Sequence, residues 1–218
     1  RNLEQRKEEV VKSIEEQGKL TDEIIQAVAI SKTLAEVEDI YRPYKQKKKT
    51  RATVAKAKGL EPLAEIIIEQ KETTPIEEIA KQYINIENLS EEDKKNKDKV
   101  VKTAEEAIQG ALDIIAENIS DNSKYRKEIK RICYREAQIE TKATDEEKKS
   151  NYEMYYDKQE PIKYIPSHRI LAINRGEKEE FIKVKIQKPE EKILIYIERD
   201  IIKGETQFTE MLKATIQD

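Results

Sequence analysis

The sequence has no tryptophan, one cysteine, one histidine and five glycines among its 218 residues. A single cysteine cannot form an intramolecular disulfide, and one cysteine with one histidine cannot supply the usual ligand set of a zinc site. The glycines, at positions 18, 59, 110, 176 and 204, are isolated from one another. They therefore form no glycine-rich phosphate-binding loop. These absences argue against a disulfide scaffold, a zinc domain and a glycine-rich phosphate-binding loop, and we expect no cofactor.

Long hydrophobic runs are also missing. The most apolar short runs, IIIEQ near residue 66 and ILIYI near residue 193, are much shorter than the roughly eighteen apolar residues that a membrane helix requires. No signal-peptide pattern opens the chain. We therefore predict a cytoplasmic protein with no membrane partner. Because the sequence begins at Arg1 rather than methionine, within a helical pattern, we expect it to be a piece of a longer protein.

Charged residues are abundant and unevenly distributed. They make up 40% of the chain, against 37% hydrophobic residues, a balance that favours long, solvent-exposed helices. The segment 42–58, RPYKQKKKTRATVAKAK, contains eight basic residues and no acidic one, although the net charge of the whole chain is −3. The rest of the chain therefore carries a net charge of −11. This segregation of positive charge indicates a polyanionic partner.

Apolar residues recur at helical spacing along most of the chain, which predicts a mainly α fold. Residues 1–84 form a predicted N-terminal helical subdomain that carries the basic segment 42–58. Residues 85–98 are polar and lack periodicity, so we interpret them as a joint. Residues 99–218 then begin with two long helices, and the second of these is predicted to extend through QIE at residues 138–140.

The pattern changes towards the C-terminus. HRILAINR is predicted to form a short helix that begins at Ser167 and ends in a left-handed turn at Gly176. FIKVKIQ alternates between apolar and polar residues, and with KILIYIE it predicts a β-hairpin or small edge sheet. The second run could instead open a helix. We expect the strands to lie only between Phe181 and Ile197, followed by a C-terminal helix.

No pattern of residues predicts a catalytic centre. Ser167 and His168 are neighbours at a helix start, point to different sides and have no third residue to orient the imidazole. Cys133 lies on an apolar helix stripe, where a buried, unreactive side chain is typical. We predict that the protein is not an enzyme and binds no metal.

The basic segment is the best candidate site. Tyr41 and Tyr44 flank it with rings that can pack or stack, Pro43 stiffens the turn, and Thr50 and Thr53 offer hydroxyl donors. A solubilising loop is the alternative interpretation. A second patch on a later helix is typical of an ordinary exposed face; its residues are Lys124, Lys127, Arg131 and Arg135. The predicted phosphate contacts are Arg42, Lys45, Lys47, Lys48, Lys49 and Arg51.

Three separated stretches resemble the N-terminal region of the Tex family of bacterial transcription accessory proteins. They are DIYRPYKQKKKTRATVAKAKGLEPLA, ALDIIAENISDNSKYRKEIKR and YEMYYDKQEPIKYIPSHRILAINRGEKEEFIKVKI. The resemblance runs from the first helix to the predicted hairpin. It implies a cytoplasmic nucleic-acid-binding protein related to a eukaryotic elongation factor. Further modules of the family are a ribonuclease H-like domain without evident nuclease activity, helix-hairpin-helix motifs and an OB-type RNA-binding domain, which we expect to lie beyond this chain.

These observations predict a non-catalytic scaffold that contacts the phosphate backbone of RNA or DNA without reading its sequence. The expected partners are nucleic acid, the transcription machinery and the remaining domains of the longer protein. The alternative is a structural helical arm whose basic loop docks on an acidic protein surface.

Overall fold

The computed structural model describes residues 2–45, 49–86, 98–145 and 149–218. Within these ranges it contains eleven α-helices and one three-stranded antiparallel sheet in the C-terminal half, which confirms the predicted mainly helical fold. The helices are α1 Asn2–Glu16, α2 Asp22–Ile30, α3 Leu34–Tyr41, α4 Arg51–Ala57, α5 Glu61–Glu69, α6 Ile76–Lys81, α7 Ala104–Asp121, α8 Ser123–Glu136, α9 Ser167–Lys178, α10 Glu190–Ile201 and α11 Thr209–Gln217. The strands are β1 Gln138–Ala143, β2 Lys158–Pro161 and β3 Ile182–Gln187.

The chain divides into two compact units. The first comprises Arg1–Arg126 with Ile197–Asp218, and the second comprises Lys127–Tyr196. Most of the joint predicted at residues 85–98 lies outside the described residues, so the predicted division at that joint stays a prediction. None of the helices in the described ranges is both long and apolar enough to cross a membrane.

The first three helices pack around a small apolar cluster formed by Val10, Ile14, Val28 and Val37. Threonines start the second and third helices. The Thr33 hydroxyl accepts a hydrogen bond from the Glu36 backbone N–H, and the Glu36 carboxylate accepts one from the Thr33 N–H. This reciprocal capping satisfies backbone donors that a helix start leaves unpaired. The result is a defined helix, α3, leading directly into the basic segment.

Helix α7 is the centre of the first unit, where it contacts α4, α5, α6 and α11. Its buried face carries small residues, including Ala107 and Ala111, so neighbouring helices can approach closely. Gly110 marks the tightest approach. A Cβ at that position would collide with the side chain of the fully buried Leu60 and would lie 3.3 Å from the Cβ of Ala55. The absence of a side chain at Gly110 thus allows α4, which is part of the basic segment, to lie against α7.

The sheet of the second unit has the strand order β2-β1-β3, with both pairings antiparallel. In its register Gln138 lies opposite Pro161 on one side and Gln187 on the other. The prediction that strands occur only between Phe181 and Ile197 is therefore wrong, because β1 and β2 lie earlier in the chain. The helix predicted to run through QIE ends at Glu136, and residues from Gln138 onward form β1.

Two further C-terminal predictions are corrected. KILIYIE forms part of α10 rather than a strand, as its alternative interpretation allowed, with Glu190 and Glu191 in the first turn where acidic residues favour a helix. Gly176 does not end its helix. It is buried within α9, where a Cβ would lie 2.7 Å from Ile182 Cδ1, and the left-handed residue that follows the helix is Glu180, with φ 60°. Close packing on β3, rather than a turn, explains this glycine.

Candidate nucleic-acid interface

The described part of the basic segment consists of a short turn and a short helix. A 3₁₀ turn spans Arg42–Tyr44 and includes Pro43, and α4 follows after the N-cap Thr50. The Thr50 hydroxyl accepts from the Thr53 N–H at 3.1 Å, and the Thr53 hydroxyl accepts from the Thr50 N–H at 2.8 Å. Both threonine hydroxyls therefore cap α4. Lys47 and Lys48, two of the predicted phosphate contacts, lie outside the described residues.

Three carboxylates of α7 lie opposite this segment. Asp113, Glu117 and Asp121 are spaced by four residues, so they share one face of the helix, and we call them the acidic stripe. Arg42 donates from Nε to Asp121 Oδ1 at 2.8 Å. The other two pairs are looser and exceed hydrogen-bonding distance, with Arg51 3.7 Å from Asp113 and Lys56 3.8 Å from Glu117.

The carboxylates of the stripe have additional hydrogen bonds. The Thr50 hydroxyl donates to Glu117 Oε1 at 3.0 Å, and the side-chain amide of Gln109 donates to Asp113 Oδ1 at 3.2 Å. The stripe side chains are only 9 to 15% exposed. Partly buried acids are stabilised by such donors. The acidic stripe is thus a largely buried, hydrogen-bonded part of the first unit.

Two more basic residues have acidic partners. Lys49 forms an ion pair with Asp98, and Arg51 donates to Asp218 Oδ2 at 2.7 Å. The pKa of Arg51 is raised, first by the hydrogen bond to Asp218 and then by the negative charge of Asp113. By contrast, Lys45 and Lys58 make no ion pair with any residue in the described ranges. The segment is therefore partly neutralised within its own unit.

The two predicted aromatic residues pack inwards. Tyr41 and Tyr44 are partly buried against the apolar cluster of the first three helices. The Tyr41 hydroxyl is hydrogen-bonded to the Ser13 hydroxyl at 2.9 Å, and the guanidinium carbon of Arg6 lies 5.5 Å from the centroid of its ring. Both rings anchor the segment to its helices. Stacking of either ring on a base stays a prediction.

Two clefts adjoin the segment. The first, of about 450 Å³, is lined in part by Lys45, Lys56, Glu117 and Asp121. The second, of about 540 Å³, lies between α4 and α7. Its lining includes Lys49, Arg51, Lys58 and Asp113, over the apolar groups of Val54, Ala55 and Leu60. Each cleft therefore has cations of the basic segment on one side and carboxylates of α7 on the other.

The second basic patch has its own acidic neighbours. Lys124 Nζ lies 2.9 Å from Asp200 Oδ1, Arg131 Nε donates to Glu128 at 2.8 Å, and Arg135 pairs with Glu136. These contacts are typical of an exposed helix face. Ser167 and His168 are exposed at the start of α9, and Cys133 is partly buried in α8. In the described part of the chain, no group of three or more His, Cys, Asp or Glu side chains could hold a metal ion.

Sequence reasoning missed the acidic stripe. The signal was present, because an acidic residue at every fourth position of ALDIIAENISD predicts three carboxylates on one helix face. The same stretch also carries apolar residues at helical spacing, and these alone indicate the buried face. Only the packing of α4 on α7 reveals that the stripe faces the basic segment.

Comparison with known proteins identifies the family. The family model described as "Tex central region-like" matches residues 70–216, which is more than half of the chain. The chain therefore belongs to the Tex family, as its resemblance indicated. The basic segment, residues 42–58, lies before the matched region.

Individual relatives extend the match across the chain. The protein YdcI of Bacillus subtilis is 48% identical over 221 residues, covering 100% of this chain and 29% of YdcI. The transcriptional accessory protein Tex of Neisseria gonorrhoeae is 32% identical over 189 residues, covering 86% of this chain and 23% of that protein. A human protein named S1 RNA-binding domain-containing protein 1 is 27% identical over 187 residues, covering 81% of this chain and 17% of its own length. The chain thus spans less than a third of each of these relatives.

Proposed function

We propose that this chain is a non-catalytic, nucleic-acid-binding part of a cytoplasmic transcription accessory protein, and that its basic segment contacts the phosphate backbone. The observation that carries the proposal is the segment itself, with eight cations and no carboxylate in residues 42–58 of an acidic chain. Such a charge distribution attracts polyanions. The names of two relatives, a transcriptional accessory protein and an S1 RNA-binding domain-containing protein, also support a role in nucleic-acid binding.

The structural setting suits phosphate contacts. The described part of the segment is held by the packed ring of Tyr41 at one end and by the capped helix α4 at the other. Cations on a fixed surface lose less conformational freedom on binding than cations on an unstructured tail. We expect the proposed contacts, including Lys47 and Lys48 by their place in the sequence, to meet successive phosphates. The other expected partners are the transcription machinery and the rest of the longer protein.

The residue types favour the backbone over the bases. Five of the six basic residues from 45 to 56 are lysines. A lysine is a flexible point charge that suits phosphate, whereas fixed bidentate contacts to a base edge usually require arginine or an amide. Binding should therefore depend strongly on salt and weakly on sequence, for RNA and DNA alike.

The test is a salt titration with fluorescent single-stranded oligo(U) RNA and oligo(dT) DNA. If about four cations neutralise phosphates, the slope of log affinity against log salt should be about −3, since each contact contributes roughly −0.7. Replacing Lys47, Lys48 and Lys49 together with glutamine should weaken binding to both strands and flatten the slope by about two units.

A control variant removes the same charge elsewhere. Lys12, Lys19 and Lys81 are exposed and make no ion pair within the described ranges, so their joint replacement by glutamine should leave most of the affinity. If both triple variants bind like the parent, or lose the same affinity, the basic segment is not the phosphate-contacting surface.

A second candidate function is favoured by the ion pairs with α7. Because described cations of the segment already contact carboxylates, the segment could dock on an acidic surface of another protein or domain, as a structural arm. This function predicts salt-dependent binding to an acidic protein surface and unchanged nucleic-acid binding in the Lys47, Lys48 and Lys49 variant. The two titrations therefore separate the candidates.

A further inference from the structure

We infer that the acidic stripe competes with nucleic-acid phosphate for the basic segment, so that Asp113 and Glu117 limit its affinity. This inference rests on the proposed function. It adds two residues outside the segment that determine how tightly the segment binds, and it assigns different roles to its cations. Arg51 and Lys56 exchange a carboxylate for a phosphate, whereas Arg42 stays on its own carboxylate.

The lengths of the ion pairs support this division. Arg51 and Lys56 lie 3.7 and 3.8 Å from their stripe carboxylates, beyond hydrogen-bonding distance, so separating either pair breaks no hydrogen bond. Arg51 also donates a hydrogen bond to Asp218, but that carboxylate is 58% exposed, so giving up this bond for a phosphate costs little. The Arg51 side chain is 68% exposed, and an ion pair of that kind contributes little and is screened by salt. Arg42 differs because it donates a 2.8 Å hydrogen bond to a carboxylate that is 9% exposed.

Asp113 and Glu117 each accept a hydrogen bond that does not depend on the cation they would release. When Arg51 turns to a phosphate, Asp113 keeps the hydrogen bond from Gln109. When Lys56 does so, Glu117 keeps the one from the Thr50 hydroxyl. An acid that retains a donor avoids most of the cost of leaving a partly buried charge unpaired. A phosphate also presents paired oxygens to a guanidinium as a carboxylate does, so the incoming group matches the one it replaces.

The acidic stripe also weakens the binding of single anions to the basic segment. The stripe places negative charge beside the segment, and a single phosphate or carboxylate gains little by replacing it. A strand with several adjacent phosphates meets several cations at once, and its advantage grows with each contact. The stripe therefore favours extended strands over isolated anions.

The experiment measures binding of fluorescent oligo(U) to the full chain at low salt. Asp113→Asn retains the acceptor for Gln109 and removes the competing charge, so affinity should rise about two- to fivefold, in line with the strength of an exposed ion pair. Adding Glu117→Gln should raise it further. The gain should shrink at high salt, because the removed interaction is screened.

Two controls distinguish local competition from a general change of charge. Glu8→Gln removes the same charge from an exposed position on α1 that makes no ion pair in the described part of the chain, and it should raise affinity clearly less. In a chain that carries Arg51→Gln, Asp113→Asn should raise affinity no more than Glu8→Gln does, because its partner is gone. Thermal melts of all variants verify that they are folded.

The inference is overturned if Asp113→Asn gains no more than Glu8→Gln, or if its gain is unchanged in the Arg51→Gln chain. Either result is distinct from failure of the proposed function, which shows as an unchanged affinity when Lys47, Lys48 and Lys49 are replaced. If that triple variant loses affinity but Asp113→Asn shows no specific gain, the basic segment is still the binding site and the acidic stripe is not its competitor.

Discussion

Replacing Arg42 with glutamine should destabilise the first unit, although Arg42 belongs to a segment rich in exposed charges. Its Nε donates to Asp121 at 2.8 Å, and the Asp121 side chain is 9% exposed at the last residue of α7. A negative charge at a helix C-terminus is unfavourable, so the arginine offsets two costs, burial of the carboxylate and its repulsion by the helix dipole.

The magnitude follows from the geometry. Hydrogen bonds to charged groups contribute about 1.5–3 kcal/mol, and the 46% exposure of the Arg42 side chain reduces this to about 1–2 kcal/mol. For a chain of this length, that loss lowers the melting temperature by about 3–6 °C. Thermal and urea unfolding followed by circular dichroism would measure it.

Lys45→Gln is the matched control, because Lys45 is exposed and has no ion-pair partner in the described ranges. It should change stability by less than about 0.5 kcal/mol. Asp121→Asn should remove much of the penalty of Arg42→Gln when the two are combined, since the negative charge that Arg42 offsets is then gone. Equal melting temperatures for the Arg42 and Lys45 variants would refute the structural role. Unchanged oligo(U) binding by folded Arg42→Gln is the result expected if Arg42 stays on Asp121, and a clear loss of affinity would return Arg42 to the phosphate contacts.

Two further predictions concern packing and pH. Gly110→Val should lower the free energy of unfolding in urea by about 2–3 kcal/mol, because the valine side chain would overpack against the buried Leu60. A melting temperature equal to that of the parent would contradict the close approach of α4 and α7. The pKa of Asp200 is lowered, first by the hydrogen bond from the Tyr125 hydroxyl and then by that from Lys124. A carboxyl whose pKa is lowered in the folded state stabilises the fold above its unfolded pKa of about 3.9, and this stabilisation is lost as the pH falls through the folded-state pKa. The melting temperature of Asp200→Asn should therefore fall less steeply in acid than that of the parent.

The helical class of this protein could be predicted because its signals are local. Threonine caps, terminal glycines such as Gly18 and apolar residues at helical spacing act within a few residues of one another. The strands were harder to locate. β1 pairs with β2, the next strand along the chain, and also with β3, whose paired residues lie 39 to 49 positions after those of β1. The sequence QIETKA does not indicate which strands it pairs with.

The meaning of a glycine likewise depended on distant residues. The sequence predicts a helix end at Gly176, yet Gly176 lies inside a helix, as Gly110 does. Each of the two glycines leaves room for a side chain from outside its helix, Ile182 for Gly176 and Leu60 for Gly110. A glycine that serves close packing and one that serves a turn look alike until the partner is known.

By itself the sequence determined the abundance of helix, the segregation of positive charge at residues 42–58 and membership of the Tex family, because composition, periodicity and similarity are read along the chain. Only the tertiary structure decided which of those charges face carboxylates. The pairs of Arg42 with Asp121 and of Lys56 with Glu117 join residues more than sixty positions apart, and they exist because small side chains on α7 let α4 approach. Electrostatic interactions depend on distance in space, which the spacing of charges along a sequence does not contain.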